Sequence, residues 1–150
     1  MIRPRAAVSW SGGKDCCLAF LRARDTFDPV ALITMFGEDG NRSRSHGLTP
    51  VMPLWGQPTQ LLAEEFIARG GEARFVTVRP PLLDESWLGL TLDAVALQRL
   101  QAIGADPCGE FGEYHTVVTG CPAFSSPLTL EPGQLVLSGG CWALDFDVSS

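Results

Sequence analysis

The stretch Val8-Ser9-Trp10-Ser11-Gly12-Gly13-Lys14-Asp15-Cys16 constrains this chain more than any other. An apolar run from Ala6 to Trp10 leads into it, and a helical pattern, Leu18-Ala19-Phe20-Leu21, leads out. A strand that turns through glycines into a helix builds a phosphate cradle. The first N–H groups of the helix have no intrahelical partner and point at whatever lies above them. Gly12 and Gly13 let the backbone approach an anion without a Cβ in the way. Ser11 adds a hydroxyl donor and Lys14 a mobile positive charge. The plainer reading is a Gly-Gly turn with an incidental lysine. The strand before and the helix after favour the cradle.

Three phosphate loops compete for this stretch. A Walker A loop needs a glycine separated by four residues from its Gly-Lys pair and a Ser or Thr after the lysine. Asp15 follows Lys14 here, so that pattern fails. The dinucleotide fingerprint Gly-x-Gly-x-x-Gly fails as well. Ser11-Gly12-Gly13-Lys14-Asp15-Cys16 resembles the third, the Ser-Gly-Gly-x-Asp-Ser pyrophosphate loop of the N-type ATP pyrophosphatases, except that Cys16 replaces the last serine. Enzymes of that kind split ATP into AMP and pyrophosphate, usually to adenylate a carbonyl or carboxyl oxygen.

The chain has 150 residues, enough for one compact unit with a real core. No apolar run approaches the ~20 residues of a membrane span. Arg3 and Arg5 are not followed by the long apolar region of a signal peptide, so a cytoplasmic protein without a membrane partner is expected. The net charge of −6 argues against nucleic acid binding through the whole surface. The five cysteines, Cys16, Cys17, Cys108, Cys121 and Cys141, form no C-x-x-C pair, which argues against zinc ribbons and a disulfide framework. Cys16 stands apart from the others, because a helix N-terminus beside a lysine favours a thiolate.

Along the chain, residues 5–10 read as a buried strand and 14–24 as a helix. Asp28-Pro29 marks a turn, and Val30 to Phe36 is a second apolar run, as expected for a strand covered on both faces. Strand, helix, strand make one βαβ unit. Gly37 to Gly47 is polar, at the sheet edge where open α/β folds bind ligands. Arg42, Arg44 and His46 can approach phosphates there, or the segment is a solvated loop. Thr59 reads as an N-cap for a helix that stops at Gly70-Gly71. Ala73 to Val78 alternates like a strand, and Leu92 to Ile103 is amphipathic and closed by Gly104. The stretches Leu128–Leu130, Gln134–Ser138 and Trp142–Val148 read as antiparallel strands.

The second informative stretch runs from Asp106 to Thr116. It gathers Glu110, Glu113, His115 and Thr116 on a loop punctuated by Gly109 and Gly112. Carboxylates can bind magnesium or hold an amine, and an imidazole can move a proton near neutral pH. The alternative is a polar turn leading into a strand, with His115 satisfied by backbone.

Together these stretches resemble the diphthine–ammonia ligase-like family of N-type ATP pyrophosphatases, within the adenine nucleotide alpha-hydrolase superfamily. Ser9-Trp10-Ser11-Gly12-Gly13-Lys14-Asp15 is similar to its ATP loop, and Ser43-Arg44-Ser45-His46-Gly47-Leu48 to the segment after its second strand. Val51-Met52-Pro53-Leu54-Trp55-Gly56 resembles its "PLW" signature. Gly109-Glu110-Phe111-Gly112-Glu113-Tyr114-His115-Thr116 resembles its "GE-x-GE-aromatic-HT" signature, the most discriminating of the four.

The resemblance implies an α/β fold, a HUP or Rossmann-like doubly wound parallel sheet with a smaller C-terminal acceptor-binding part. It divides the chain at 1–55 for ATP and 56–150 for the acceptor. His46-Gly47-Leu48 runs almost directly into Thr49-Pro50-Val51, so the chain is shortened in the middle against the family pattern. The implied ATP residues are Ser9, Ser11, Gly12, Gly13, Lys14, Asp15 and Cys16. The implied acceptor residues are Arg44, His46, Gly109, Glu110, Gly112, Glu113, His115 and Thr116. Lys14, Asp15, Glu110, Glu113 and His115 would be catalytic, and ATP would carry Mg2+ on its phosphates. The implied reaction adenylates a carboxylate, that of a diphthine-bearing protein or of a small molecule, after which ammonia displaces AMP.

Two other functions compete with this one. One is a nucleotide-binding relative without turnover, favoured by Cys16 and by the shortened middle. The other is a tRNA-thiolating enzyme, which would want a catalytic cysteine pair and a basic face; the net charge of −6 argues against the face, and no cysteine pair here has the expected character. Sheet edges left exposed by the shortening would invite pairing with a second copy of the chain.

Overall fold

The computed structural model describes residues 3–33 and 51–149. Its architecture is α/β, with a parallel and an antiparallel part. Strand β1 (Arg5–Ser9), helix α1 (Lys14–Thr26) and strand β2 (Asp28–Ile33) form the βαβ unit. The strands pair in parallel from Arg5↔Asp28 to Ser9↔Ile33, and Trp10 N–H donates to the Ile33 carbonyl at 2.9 Å. Among the described residues the parallel sheet consists of these two strands.

Two local expectations change here. Asp28-Pro29 is not a turn but the start of β2, with Asp28 N–H donating to the Pro4 carbonyl at 2.8 Å. Proline is tolerated at the first residues of a strand and on an edge strand, and among the described residues β1 alone pairs with β2. Nor, among the described residues, is β2 covered on both faces: Val30, Leu32 and Ile33 are 48%, 53% and 45% exposed, because α1 is the one described helix packed closely against the strand. Residues 34–36 of the expected strand, and Arg42, Arg44 and His46, lie outside the described residues.

The second half builds a four-stranded antiparallel sheet in the order β4-β3-β6-β5. Its strands are β3 (Glu72–Val78), β4 (Tyr114–Gly120), β5 (Thr129–Ser138) and β6 (Cys141–Ser149). The β5–β6 hairpin turns through Gly139 and Gly140, both at positive φ, which a two-residue turn of this hand requires. Strand β6 reaches β3 only at Thr77 and Val78. Earlier along β3 its edge is taken by the segment 89–92: Phe75 N–H donates to Leu90, and Gly89 and Leu92 donate back to Phe75 and Ala73.

Helix α2 (Thr59–Ala68) buries Leu62, Ala63 and Phe66, at the spacing of one helical face. Thr59 is not its N-cap. Pro58 occupies that position, and the Thr59 hydroxyl donates instead to Asp106 Oδ2 at 2.7 Å. Helix α3 (Ala94–Ala102) starts two residues after the expected Leu92 because the Asp93 carboxylate caps it, accepting Ala96 N–H at 2.8 Å. Its Ala96, Leu97 and Leu100 join Cys17, Leu18 and Leu21 of α1, Phe66, Phe75, Trp87, Tyr114 and Val118 in one core. Both parts of the chain therefore contribute to the same apolar interior.

Charged side chains tie α1 to α2. Arg22 donates to both oxygens of Glu65, and Arg69 reaches Glu65 at 2.8 Å and Asp25 at 3.1 Å. Arg22 Nη1 also holds the Pro53 carbonyl at 2.6 Å, anchoring the Pro53-Leu54-Trp55 turn on α1. The Arg22 guanidinium beside Glu65 holds its carboxyl below the usual carboxylate range. A carboxyl depressed on folding stabilises above its unfolded pKa, and that contribution is lost as pH falls through the folded one. Glu65→Gln should therefore cost up to ~1 kcal/mol at pH 7. The gap to wild type should close on acidification below about pH 4. Denaturant titrations at pH 7 and pH 3 check this; an equal gap at both would show that the charge is not responsible.

Candidate functional site

The turn after β1 and the loop before β4 meet. Val118 N–H donates to the Gly12 carbonyl at 2.9 Å, so β4 lies directly against the glycine turn. The two stretches line one cleft of about 430 Å³. Ser11, Gly13, Lys14 and Asp15 form one wall. Cys108, Gly109 and Glu110 form the other, with Tyr114, His115 and Thr116 of β4 closing it. Residues nearly a hundred positions apart thus share one concavity.

The glycine turn is built as a helix N-terminus. Gly13 is the N-cap, and the first α-helical bond runs from Cys17 N–H to the Gly13 carbonyl at 3.2 Å. The N–H groups before Cys17 have no intrahelical partner and sit at the positive end of the α1 dipole. Ser11 Oγ lies 3.0 Å from Cys16 Sγ, so the serine hydroxyl and the thiol share a hydrogen bond beside the cradle.

Lys14 is the only lysine in the chain; the ten other cations are arginines. It is 4% exposed. A buried ammonium must be paired. Its Nζ donates to Asp15 Oδ2 at 2.9 Å and to the Cys108 carbonyl at 2.6 Å, and stands 5.5 Å from the centre of the Tyr114 ring. Two of its three protons have acceptors, and Lys14 lines the cleft.

The 106–113 loop is organised by carboxylates turned inward. Asp106 Oδ1 accepts the N–H of Cys108 at 2.8 Å and of Glu110 at 3.3 Å, while Oδ2 takes the Thr59 hydroxyl. Glu113 accepts Asp106 N–H and Phe111 N–H, one on each oxygen, both at 3.0 Å. Both Glu113 oxygens are thereby committed to the loop backbone, and Glu113 is not part of the cleft lining. Glu110 lines the cleft and is exposed. Gly109 has φ +70°, and a Cβ there would sit 2.8 Å from the Tyr114 carbonyl, so only glycine lets the loop close on β4. The Tyr114 hydroxyl donates to the Pro107 carbonyl at 2.5 Å. Burial pushes that phenol far above its ordinary range and raises the Cys108 thiol to about 12, so neither is ionised here.

Of the residues expected at the site, Ser11, Gly13, Lys14, Asp15, Gly109, Glu110, His115 and Thr116 line the cleft together. Ser9 lies in β1, paired with Ile33. Gly12, Cys16 and Gly112 flank the cleft without lining it, Gly112 packing against the Arg79 guanidinium. Asp106, Tyr114 and the Cys108 carbonyl were not among the expected site residues. Tyr114 is the aromatic of the second signature, but a carbonyl leaves no trace in a residue pattern.

Among the described residues no three His, Cys, Asp or Glu side chains are grouped to hold a metal. Asp15 and Glu110 offer the one or two carboxylates that suffice for a magnesium carried on phosphates, not a closed protein cage. Among the described residues no helix is long and apolar enough to cross a membrane.

Residues 58–139 match the family model for the diphthamide synthase C-terminal domain. The chain is also similar to curated diphthine–ammonia ligases. The human protein is 30% identical over 94 residues, which are 60% of this chain and 35% of that protein. The rat protein is 32% identical over 94 residues, again 60% and 35%. The mouse protein is 30% identical over 105 residues, 67% of this chain and 39% of the relative. The chain thus spans little more than a third of the length of these relatives. With more than half of its residues matched by the family model, and with the second signature folded into a cleft wall, this chain belongs to the diphthamide synthase C-terminal domain family and is diphthine–ammonia ligase-like.

Proposed function

We propose that the chain binds ATP in this cleft and serves as an AMP-forming amide ligase, adenylating a carboxylate that ammonia then converts to an amide. The supporting observation is the shared cleft, with Lys14 held between the glycine turn and the 106–113 loop. Residues 1–55 would supply the nucleotide side and 56–150 the acceptor side. The names of the relatives point to a diphthine-bearing acceptor and ammonia.

The α1 N-terminus, Ser11 and the Lys14 ammonium bind the phosphates. The acceptor carboxylate attacks the α-phosphorus and pyrophosphate leaves. Charge grows on the bridging oxygen as it departs, and donors already fixed around it cost no reorganisation. Ammonia then attacks the acyl carbon and AMP leaves with the bonding pair. His115 and Glu110, both exposed and both lining the cleft, would take the proton that the amine must lose. Magnesium, carried with ATP near Asp15, would offset phosphate charge. Glu113 and Asp106 hold the loop in shape.

Calorimetric titration of ATP with magnesium should give saturable binding that Lys14→Ala weakens at least ~10-fold, as expected for a lost charged hydrogen bond. Pyrophosphate release should then require both ammonium and a diphthine-bearing acceptor. Binding without release would favour a nucleotide-binding relative lacking turnover, a reading that Cys16 and the shortened middle favour. Absence of binding would sink both.

A further inference from the structure

Lys14 connects the two walls of the cleft, and the groups that hold it come mostly from the acceptor side. The Cys108 carbonyl accepts from Nζ at 2.6 Å across 94 positions of sequence. The Tyr114 ring lies under the ammonium at 5.5 Å. Both are fixed in turn. The Cys108 N–H is held by Asp106, and the Tyr114 hydroxyl by the Pro107 carbonyl. Tyr114 is 2% exposed and packs against Phe75 at a tilt of 54°, 4.7 Å between ring centres, so the platform is held in place. The nucleotide-side partner, Asp15, has a side chain 43% exposed and follows Lys14 directly, so it moves with it.

We propose that Tyr114 and the Cys108 carbonyl are positioning groups for Lys14, so that the acceptor loop sets where the phosphate-binding cation stands. The loop and the nucleotide are then coupled through one ammonium. A shift of the 106–113 loop on acceptor binding displaces the Cys108 carbonyl and changes the hold on phosphate, and bound phosphate in turn draws Lys14 from the carbonyl. This reciprocity follows from linkage. The coupling rests on the phosphate reading of the cleft; the positioning of Lys14 does not.

Because Lys14 is the only side-chain amine, its reactivity can be read alone. The 150-residue chain is acetylated under limiting reagent, and Lys14 is separated from the α-amino group by peptide mass spectrometry. Tyr114→Leu should raise the Lys14 rate at least ~10-fold, since it removes the ring that buries and attracts the cation. Tyr114→Phe keeps the ring and should stay within ~2-fold of wild type. Leu100→Ala, in the same core but away from the cleft, controls for loosening of the fold. The proposal is overturned if Tyr114→Leu leaves the rate unchanged, or if Leu100→Ala raises it as much.

Inorganic pyrophosphate is then added as the probe. Protection of Lys14 in wild type, with Tyr114→Leu binding pyrophosphate about 3- to 30-fold more weakly, supports the coupling. If pyrophosphate neither binds nor protects, the phosphate reading and the coupling built on it fail. The acetylation comparison of the Tyr114 variants still decides the positioning role.

Discussion

Lys14→Arg should lose nucleotide binding about as completely as Lys14→Ala, although it preserves the charge. The chain uses arginine at ten of its eleven cationic positions, so arginine is its ordinary cation and Lys14 the exception. The pocket explains why. A compact ammonium fits between Asp15, the Cys108 carbonyl and the Tyr114 ring with 4% exposure. A guanidinium is planar, longer and carries five donors in a fixed fork. Two acceptors cannot satisfy them, and each donor left buried without a partner costs ~1–3 kcal/mol. Forcing the larger group into the site adds ~1–3 kcal/mol of strain. The fork will therefore turn outward, vacating the place of the ammonium. Where catalysis is measurable, the loss should be on the order of 10²- to 10³-fold in rate, as for a missing preorganised donor. Calorimetry on Lys14→Arg beside Lys14→Ala checks the point. If arginine restores more than about half of the binding free energy, a diffuse positive charge is sufficient and the compact pocket is irrelevant.

The sequence carried the glycine turn, α1 and the C-terminal antiparallel strands because each has a local cause. Apolar period, a glycine stop or a capping carboxylate act within a few residues. It misled where the cause is distant. Asp28-Pro29 carries turn chemistry, yet pairing with Arg5 and Ala6 makes it strand. Thr59 has the cap-forming side chain, yet Asp106, 47 positions away, accepts its hydrogen bond. The residues of the second loop were visible as a cluster, but their division of labour was not. Glu110 and Glu113 look alike in sequence. Only the fold turns one toward the cleft and spends both oxygens of the other on backbone N–H groups. The Cys108 carbonyl, the firmest partner of Lys14, has no side-chain signature at all.

Phe75→Ala should be the most destabilising single substitution in the core, and its effect should reach the cleft. Phe75 is fully buried in β3, with ring centres 5.5 Å from Trp87 and 4.7 Å from Tyr114. Truncating a buried phenylalanine removes its transfer free energy and leaves a cavity, ~3–5 kcal/mol together. Against a total of ~5–15 kcal/mol for a domain, that is a large share. The backbone cannot collapse into the gap easily, because Phe75 N–H and C=O are both held by the segment 89–92. With Phe75 gone, the Tyr114 ring loses the neighbour that fixes its face. If it relaxes toward the cavity, it withdraws from Lys14, and phosphate binding weakens in the molecules that remain folded. Phe75→Leu refills most of the volume and should cost ~1–2 kcal/mol with binding largely kept. Urea titration should show the midpoint falling with an unchanged slope for both variants. A loss below ~1 kcal/mol for Phe75→Ala would mean that the core closes around the gap more freely than this packing allows. Full ATP affinity in a destabilised Phe75→Ala protein would separate the core from the cleft and leave Tyr114 held by its Pro107 hydrogen bond alone.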